Sequence, residues 1–221
     1  MKRNVTACSA WRLYVIIDRR AVGSSDLVEV AAAAIRGGAD VLQLRDKAAP
    51  PSQLIEEGKR LLPLARAAGI PFIINDHADI AAFIGADGIH VVQEQLPAQE
   101  ARRLLGPGRL IGKSTHSLEQ ALAAEAEGAD YLGFGPIFPT PTKPDYDSVG
   151  TALISTVARQ VRLPLVCIGG IDDATIGQVV EAGATCVAVV RAVCRAPDPE
   201  AAACMLKNAL NRPPSTVHSP R

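Results

Sequence analysis

The tripeptide Gly-Ala-Asp recurs at 38–40, 85–87 and 128–130, and Gly-Ala-Thr stands at 183–185. Each copy ends a helix-like segment rich in Ala, Leu and Glu and precedes a short apolar run. Glycine suits the left-handed position that stops a helix. Eight apolar runs can be marked: Arg12–Asp18, Val41–Leu44, Phe72–Asn75, Gly88–Val92, Leu110–Ser114, Tyr131–Gly135, Leu165–Gly169 and Cys186–Val190. They are near-continuously apolar rather than alternating, the pattern of parallel strands buried on both faces. The four repeats precede the second, fourth, sixth and eighth runs, so a unit of two strand–helix pairs is used four times. In a chain of 221 residues this predicts one domain, a (β/α)8 TIM barrel over residues 1–211. A doubly wound open sheet is the alternative. Residues 212–221, RPPSTVHSPR, read as a disordered polar tail.

Composition narrows the function classes. Lys plus Arg equals Asp plus Glu, 23 against 23, so no global field points to nucleic acid or an anionic membrane. Aromatics are 4 % of the chain, too few for a base-stacking surface. The five cysteines are odd in number and lack CxxC spacing, which predicts free, mostly buried thiols rather than disulfides or a zinc site. No apolar stretch is long enough for a signal peptide or a membrane span, so a cytoplasmic protein is expected. A homo-oligomer stays open.

In such a barrel the functional groups sit where strands end. After the second run, Gln43, Arg45 and Lys47 are two apart and share one face, with Leu42 and Leu44 on the other. Two cations at one site suit a phosphate or pyrophosphate, since each pair at about 4 Å and an effective dielectric near 20 contributes roughly 4 kcal/mol before desolvation. After the third run, Asn75 and Asp76 are either helix N-caps or, for Asp76, a Mg²⁺ ligand. His90 lies within the fourth run and points inward, with Glu94 and Gln95 following. Ser117 and Gln120 have capping-box spacing, which leaves Ser114, Thr115 and His116 for a ligand. The sixth run continues as FGPIFPTPTKPD, Phe134–Asp145. Its prolines pre-order the loop, Thr140 and Thr142 offer hydroxyls to phosphate oxygens, and Lys143 adds a charge. After the seventh run, Gly169 and Gly170 let backbone amides approach an anion. A cationic and a glycine-rich region on one rim imply two phosphorylated substrates, or one long one.

With these pieces in hand, LYVIIDRR, GGADVLQLRDK, IINDHADIA, GADGIHVVQEQLP, IGKSTHS, ADYLGFGPIFPTPTK and VCIGGIDD together resemble the thiamine-phosphate synthases, from about Arg12 to Asn208. The resemblance implies a Mg²⁺-dependent transferase that joins a pyrimidine diphosphate to a thiazole phosphate. It implies that Gln43, Arg45, Lys47 and Lys143 hold the pyrophosphate, with Ser114 touching it. Asn75 would contact the pyrimidine and Asp76 the metal. Thr140, Thr142, Gly170 and the backbone at Val190 and Arg191 would hold the thiazole phosphate. The catalytic charge would come from Arg45, Lys47 and Lys143. Three positions depart from the family pattern. Its usual GQED after the fourth strand is Val92-Gln93-Glu94-Gln95, which puts the neutral amide of Gln95 in place of a second carboxylate ligand, and its serine after the eighth strand is Arg191. Those departures keep two alternatives: a metal-independent TenI-like thiazole tautomerase using His116 as proton shuttle, and a non-catalytic regulator that binds thiamin precursors.

Overall fold

The computed structural model describes residues 8–92, 96–141 and 147–211. Eight parallel strands close on themselves in sequence order: β1 Leu13–Asp18, β2 Val41–Arg45, β3 Phe72–Asn75, β4 Gly88–Val91, β5 Leu110–Thr115, β6 Tyr131–Phe134, β7 Leu165–Ile168 and β8 Cys186–Val189. The pairing of β1 with β8, Leu13 against Val187 to Val15 against Val189, excludes the open-sheet alternative. Each apolar run becomes a strand, shifted at its ends by one residue or so. Helices such as Leu27–Arg36, Pro51–Ala68 and Pro199–Asn211 cover the outside. The strands bury one face against those helices and the other in the barrel interior, where Trp11, Tyr14, Val41, Ile73, Tyr131 and Val166 pack together.

The Gly-Ala-Asp repeat has a structural cause at the N-terminal end of the barrel. Gly85 and Gly128 are left-handed C-caps, a conformation that disfavours a side chain. Each Asp then bonds one residue of the preceding strand twice. The Asp40 N–H donates to the Leu13 carbonyl at 2.8 Å while its carboxylate accepts from the Leu13 N–H at 2.9 Å. Asp87 does the same with Phe72, and Asp130 with Ile111. Arg12, Lys207 and Arg102 add further donors to Asp40 and Asp130. These carboxylates tie β2, β4 and β6 to the strand before each.

Four thiols, Cys8, Cys167, Cys186 and Cys194, are buried and free, and Cys204 is exposed. Burial pushes Cys8, Cys167 and Cys194 up to about 12, and Cys186 well above the ordinary thiol value. The thiolate is the nucleophile. A disulfide reagent at pH 8 should therefore titrate Cys204 alone in the native protein and all five thiols after denaturation. Fast native labelling of a second cysteine would contradict this burial.

Two local expectations change. Ser117 does cap its helix, accepting from the Gln120 N–H at 3.2 Å, but the Gln120 side chain returns to the His116 N–H, one residue earlier than a capping box requires. The N-cap after β3 is His77, with no side-chain capping bond, so neither Asn75 nor Asp76 caps that helix.

Candidate active site

The C-terminal ends of the strands surround a cavity of about 450 Å³. Its floor is set by the aromatic residues of β1 and β6. Tyr14 and Tyr131 are fully enclosed, their hydroxyls are 3.0 Å apart, and Trp11 packs edge-on against both rings. Gln43 donates its amide to the Tyr14 hydroxyl at 2.7 Å. His90 Nδ1 lies 3.3 Å from the Tyr131 hydroxyl, and His90 Nε2 lies 3.0 Å from Ser114 Oγ. Burial pushes both phenols well above their ordinary pKa, so they stay protonated. One direction leaves no enclosed hydroxyl proton without an acceptor. Tyr14 donates to Tyr131, Tyr131 to His90 Nδ1, and His90 Nε2–H to Ser114, whose own proton is left for the cavity. Glycine makes room for this chain of bonds. A Cβ at Gly112 would stand 2.1 Å from Tyr131 Cζ and 2.5 Å from His90 Nδ1.

Above the floor, β2 presents Gln43 and Arg45 to the cavity, and the bend after it presents Lys47. Arg45 forms an ion pair with Asp18 at the end of β1, both side chains being largely buried. Asp18 also caps the helix Arg19–Val22 by accepting from the Ala21 N–H at 3.1 Å. Arg45 thus offers oriented donors more than net charge. Lys47 is exposed and has no ion-pair partner among the described residues.

Asn75 lines the cavity at the end of β3. Asp76 follows with φ of 64°, the one positive φ outside glycine among the described residues. Its carboxylate accepts from the Asn75 side-chain amide at 2.6 Å and from the Val92 N–H at 3.4 Å. Asp76 itself is not among the residues lining the cavity; its carboxylate sits between two that are, Asn75 and Val92. The described residues hold no cluster of three or more His, Cys, Asp or Glu that could bind a metal. Mg²⁺ is commonly held by one or two carboxylates with substrate phosphates and water, and Asp76 is the one carboxylate of the described residues that touches both Asn75 and Val92 at this edge of the cavity. Gln95 lies outside the described residues.

Thr140, Gly169, Gly170, Val190 and Arg191 line the opposite part of the mouth. The two glycines have φ of 101° and 64°. A Cβ on Gly169 would meet the Pro136 Cα at 2.5 Å, and one on Gly170 the Phe138 Cβ at 2.7 Å. Close packing of the loop after β6 on the loop after β7 therefore demands glycine here, apart from any anion. Two bonds lock that contact, from the Ile137 N–H to the Ile168 carbonyl and from the Phe138 N–H to the Gly169 carbonyl. Thr142 and Lys143 lie outside the described residues. His116 and Val92 also line the cavity, and His116 Nδ1 is bonded to the Gly135 carbonyl.

Asp18, Tyr14, Tyr131 and Arg195 are site residues that reading the strand ends did not single out. The strand-end Asp18, directly before the basic pair Arg19-Arg20, was the one local signal among them.

A family model described as thiamine monophosphate synthase matches residues 13–193. A thiamine-phosphate synthase of Roseiflexus castenholzii is 49 % identical over 191 residues, covering 86 % of this chain and 84 % of that protein. One of Shouchella clausii is 48 % identical over 193 residues, covering 87 % and 92 %. The solved structure of thiamine phosphate pyrophosphorylase from Pyrococcus furiosus superimposes with a TM-score of 0.84 at 36 % identity, over 92 % of this chain and 96 % of that one. Among the described residues no helix is long and apolar enough to cross a membrane.

Proposed function

We propose a mechanism from one premise: the chain belongs to the thiamine monophosphate synthase family. It is an enzyme of the thiamine-phosphate synthase reaction, which condenses a pyrimidine and a thiazole phosphate. The observation that carries the finer reading is two kinds of anion site on one cavity, the Gln43–Arg45–Lys47 face and the Thr140–Gly170–Arg191 side. That cavity is of a size for small ligands. The tautomerase and regulator readings gain no such support.

The pyrimidine diphosphate lies with its ring over the Tyr14–Tyr131–His90 floor. Gln43, Asn75 and the Ser114 hydroxyl orient it, and its pyrophosphate faces Arg45, Lys47, Ser114 and Lys143. The C–O bond to the leaving group breaks, the electron pair departs on pyrophosphate oxygen, and the thiazole nitrogen forms the new C–N bond to the methylene carbon. The nitrogen becomes the cationic thiazolium centre, so no proton is transferred and no general base is needed. Arg45, Lys47 and Lys143 stabilise the charge that builds on the departing oxygens. Apolar walls such as Ile16, Val166, Ile168 and Ala188 keep water from the cationic carbon. Asp76, with Gln95 as a neutral partner, would hold Mg²⁺ against the substrate phosphates, and the ion would neutralise part of that leaving-group charge. Thr140, Thr142, Gly170 and the backbone at Val190 and Arg191 hold the thiazole phosphate.

Incubation with both phosphorylated precursors tests this reading. Thiamine phosphate should form with Mg²⁺, fall at least about tenfold in EDTA, and fall on the order of a hundredfold in Asp76→Ala. Full rates in EDTA, or in Asp76→Ala, would remove the metal from the mechanism.

A further inference from the structure

Most arginines of the described residues are engaged by carboxylates or carbonyls: Arg45 by Asp18, Arg19 by Glu57, Arg102 by Asp130. Two that line the cavity are not. Arg191 and Arg195 have no side-chain hydrogen bond or ion pair among the described residues. They bracket the short helix Arg191–Cys194, and the Arg195 N–H bonds the Arg191 carbonyl at 3.0 Å. Residues four apart on a helical turn share a face, where like charges repel by a few tenths of a kcal/mol. The acid lining this part of the cavity is Asp172, whose Oδ1 is directed to its own loop, accepting from the N–H groups of Ala174 and Thr175 and from the Thr175 hydroxyl. Two guanidiniums thus line one side of the cavity, and neither forms an ion pair with Asp172 or any other carboxylate of the described residues.

We infer that Arg191 and Arg195 form a side-chain clamp for the phosphomonoester of the thiazole substrate, and so set this chain's selectivity for the phosphorylated thiazole over its alcohol. The inference rests on the reading above for the substrate and on the unpaired guanidiniums for the clamp. A monoester carries between one and two negative charges near neutral pH. Backbone amides and the Thr140 hydroxyl supply hydrogen bonds but no net charge, whereas two guanidiniums match the dianion and donate in a planar fork. Arg191 is half-buried and Arg195 exposed, so the inner group meets the bound phosphate first and the outer one closes over it. The clamp is separate from the pyrophosphate site. Its strand, β8, and the strand of Arg45, β2, flank β1 on opposite sides, about 10 Å apart by strand spacing.

The test uses the full chain with Arg191→Gln and Arg195→Gln combined, a pair that keeps bulk and removes charge, after matching its thermal midpoint to the parent. Inorganic phosphate binding by calorimetry should weaken at least about tenfold. The KM for thiazole phosphate should rise about 30-fold, while the KM values for the thiazole alcohol and the pyrimidine diphosphate move less than about threefold. Unchanged phosphate affinity with unchanged KM would overturn the clamp. A parallel rise for phosphate ester and alcohol would overturn it too, since a merely structural role predicts that. If the parent chain condenses nothing yet the variant loses phosphate affinity, the clamp stands and the functional reading falls.

Discussion

Arg45→Ala lowers turnover at least about a hundredfold, roughly 2.7 kcal/mol of transition-state stabilisation. The guanidinium lies at the end of β2 with a side chain only 11 % exposed, against an Asp18 side chain that is 5 % exposed. Removing it deletes donors aimed at the departing pyrophosphate. It also strands the Asp18 carboxylate, unpaired and largely dry, beside a leaving group that is itself gaining negative charge. The second effect makes a distinctive prediction. Adding Asp18→Ala to Arg45→Ala should recover part of the lost rate, because the repulsion goes with the carboxylate. Arg45→Lys should recover less than charge alone suggests, since a lysine cannot present two parallel donors to Asp18 or to phosphate. Steady-state kinetics with both phosphorylated substrates read all four proteins. An Arg45→Ala rate within tenfold of the parent would place the pyrophosphate elsewhere.

Gly112→Ala is expected to destabilise the barrel by about 3 kcal/mol and to abolish most activity. The added methyl would stand 2.1 Å from Tyr131 Cζ, 2.4 Å from its hydroxyl and 2.5 Å from His90 Nδ1. Tyr131 has no room to retreat, and His90 can swing toward the cavity only by giving up its bonds. Tyr131 is wholly enclosed and packed against Trp11, with ring centroids 5.2 Å apart, and His90 is tied to Ser114. Relief must come from moving a strand or breaking the Tyr131–His90 bond, and either dismantles the floor. Urea unfolding gives the measurement: a lower midpoint at unchanged slope. Gly177→Ala, in the helix Ile176–Glu181 with nothing within 4 Å of the new methyl, should leave stability equal or raise it by up to about 1 kcal/mol. A Gly112→Ala protein with the parent's midpoint and activity would mean that the floor is softer than its packing implies.

What could be read from the chain beforehand, and what could not, follows from how local the cause is. The eight strands were legible because each is an apolar run next to a helix-stopping glycine, and both causes act within a few residues. The shared face of Gln43 and Arg45 follows from the two-residue period of a strand, while Lys47 reaches the same cavity from the bend beyond the end of β2. The floor was not legible. Tyr14 and Tyr131 meet across 117 residues of sequence, and only barrel closure brings β1 and β6 to face each other. His90 was read as inward-pointing, but its partners could not be named without the register of β4 against β5, which sets His90 opposite Gly112 and so within reach of Ser114. Asp18 is only the end of the first apolar run in the sequence, where nothing local ties it to a residue 27 positions on; in the fold it caps the helix Arg19–Val22. The same carboxylate also grips Arg45. The spacing of Ser117 and Gln120 predicted a reciprocal bond that the backbone instead directs to His116.

The carboxylates that bind Leu13, Phe72 and Ile111 all lie at the pole of the molecule away from the cavity. Rigidity and chemistry are thereby housed at opposite poles. A lineage can then exchange residues around the mouth, as at Val92 and Arg191, without loosening the frame. Evolutionary drift in ligand preference is thus decoupled from whether the chain folds at all.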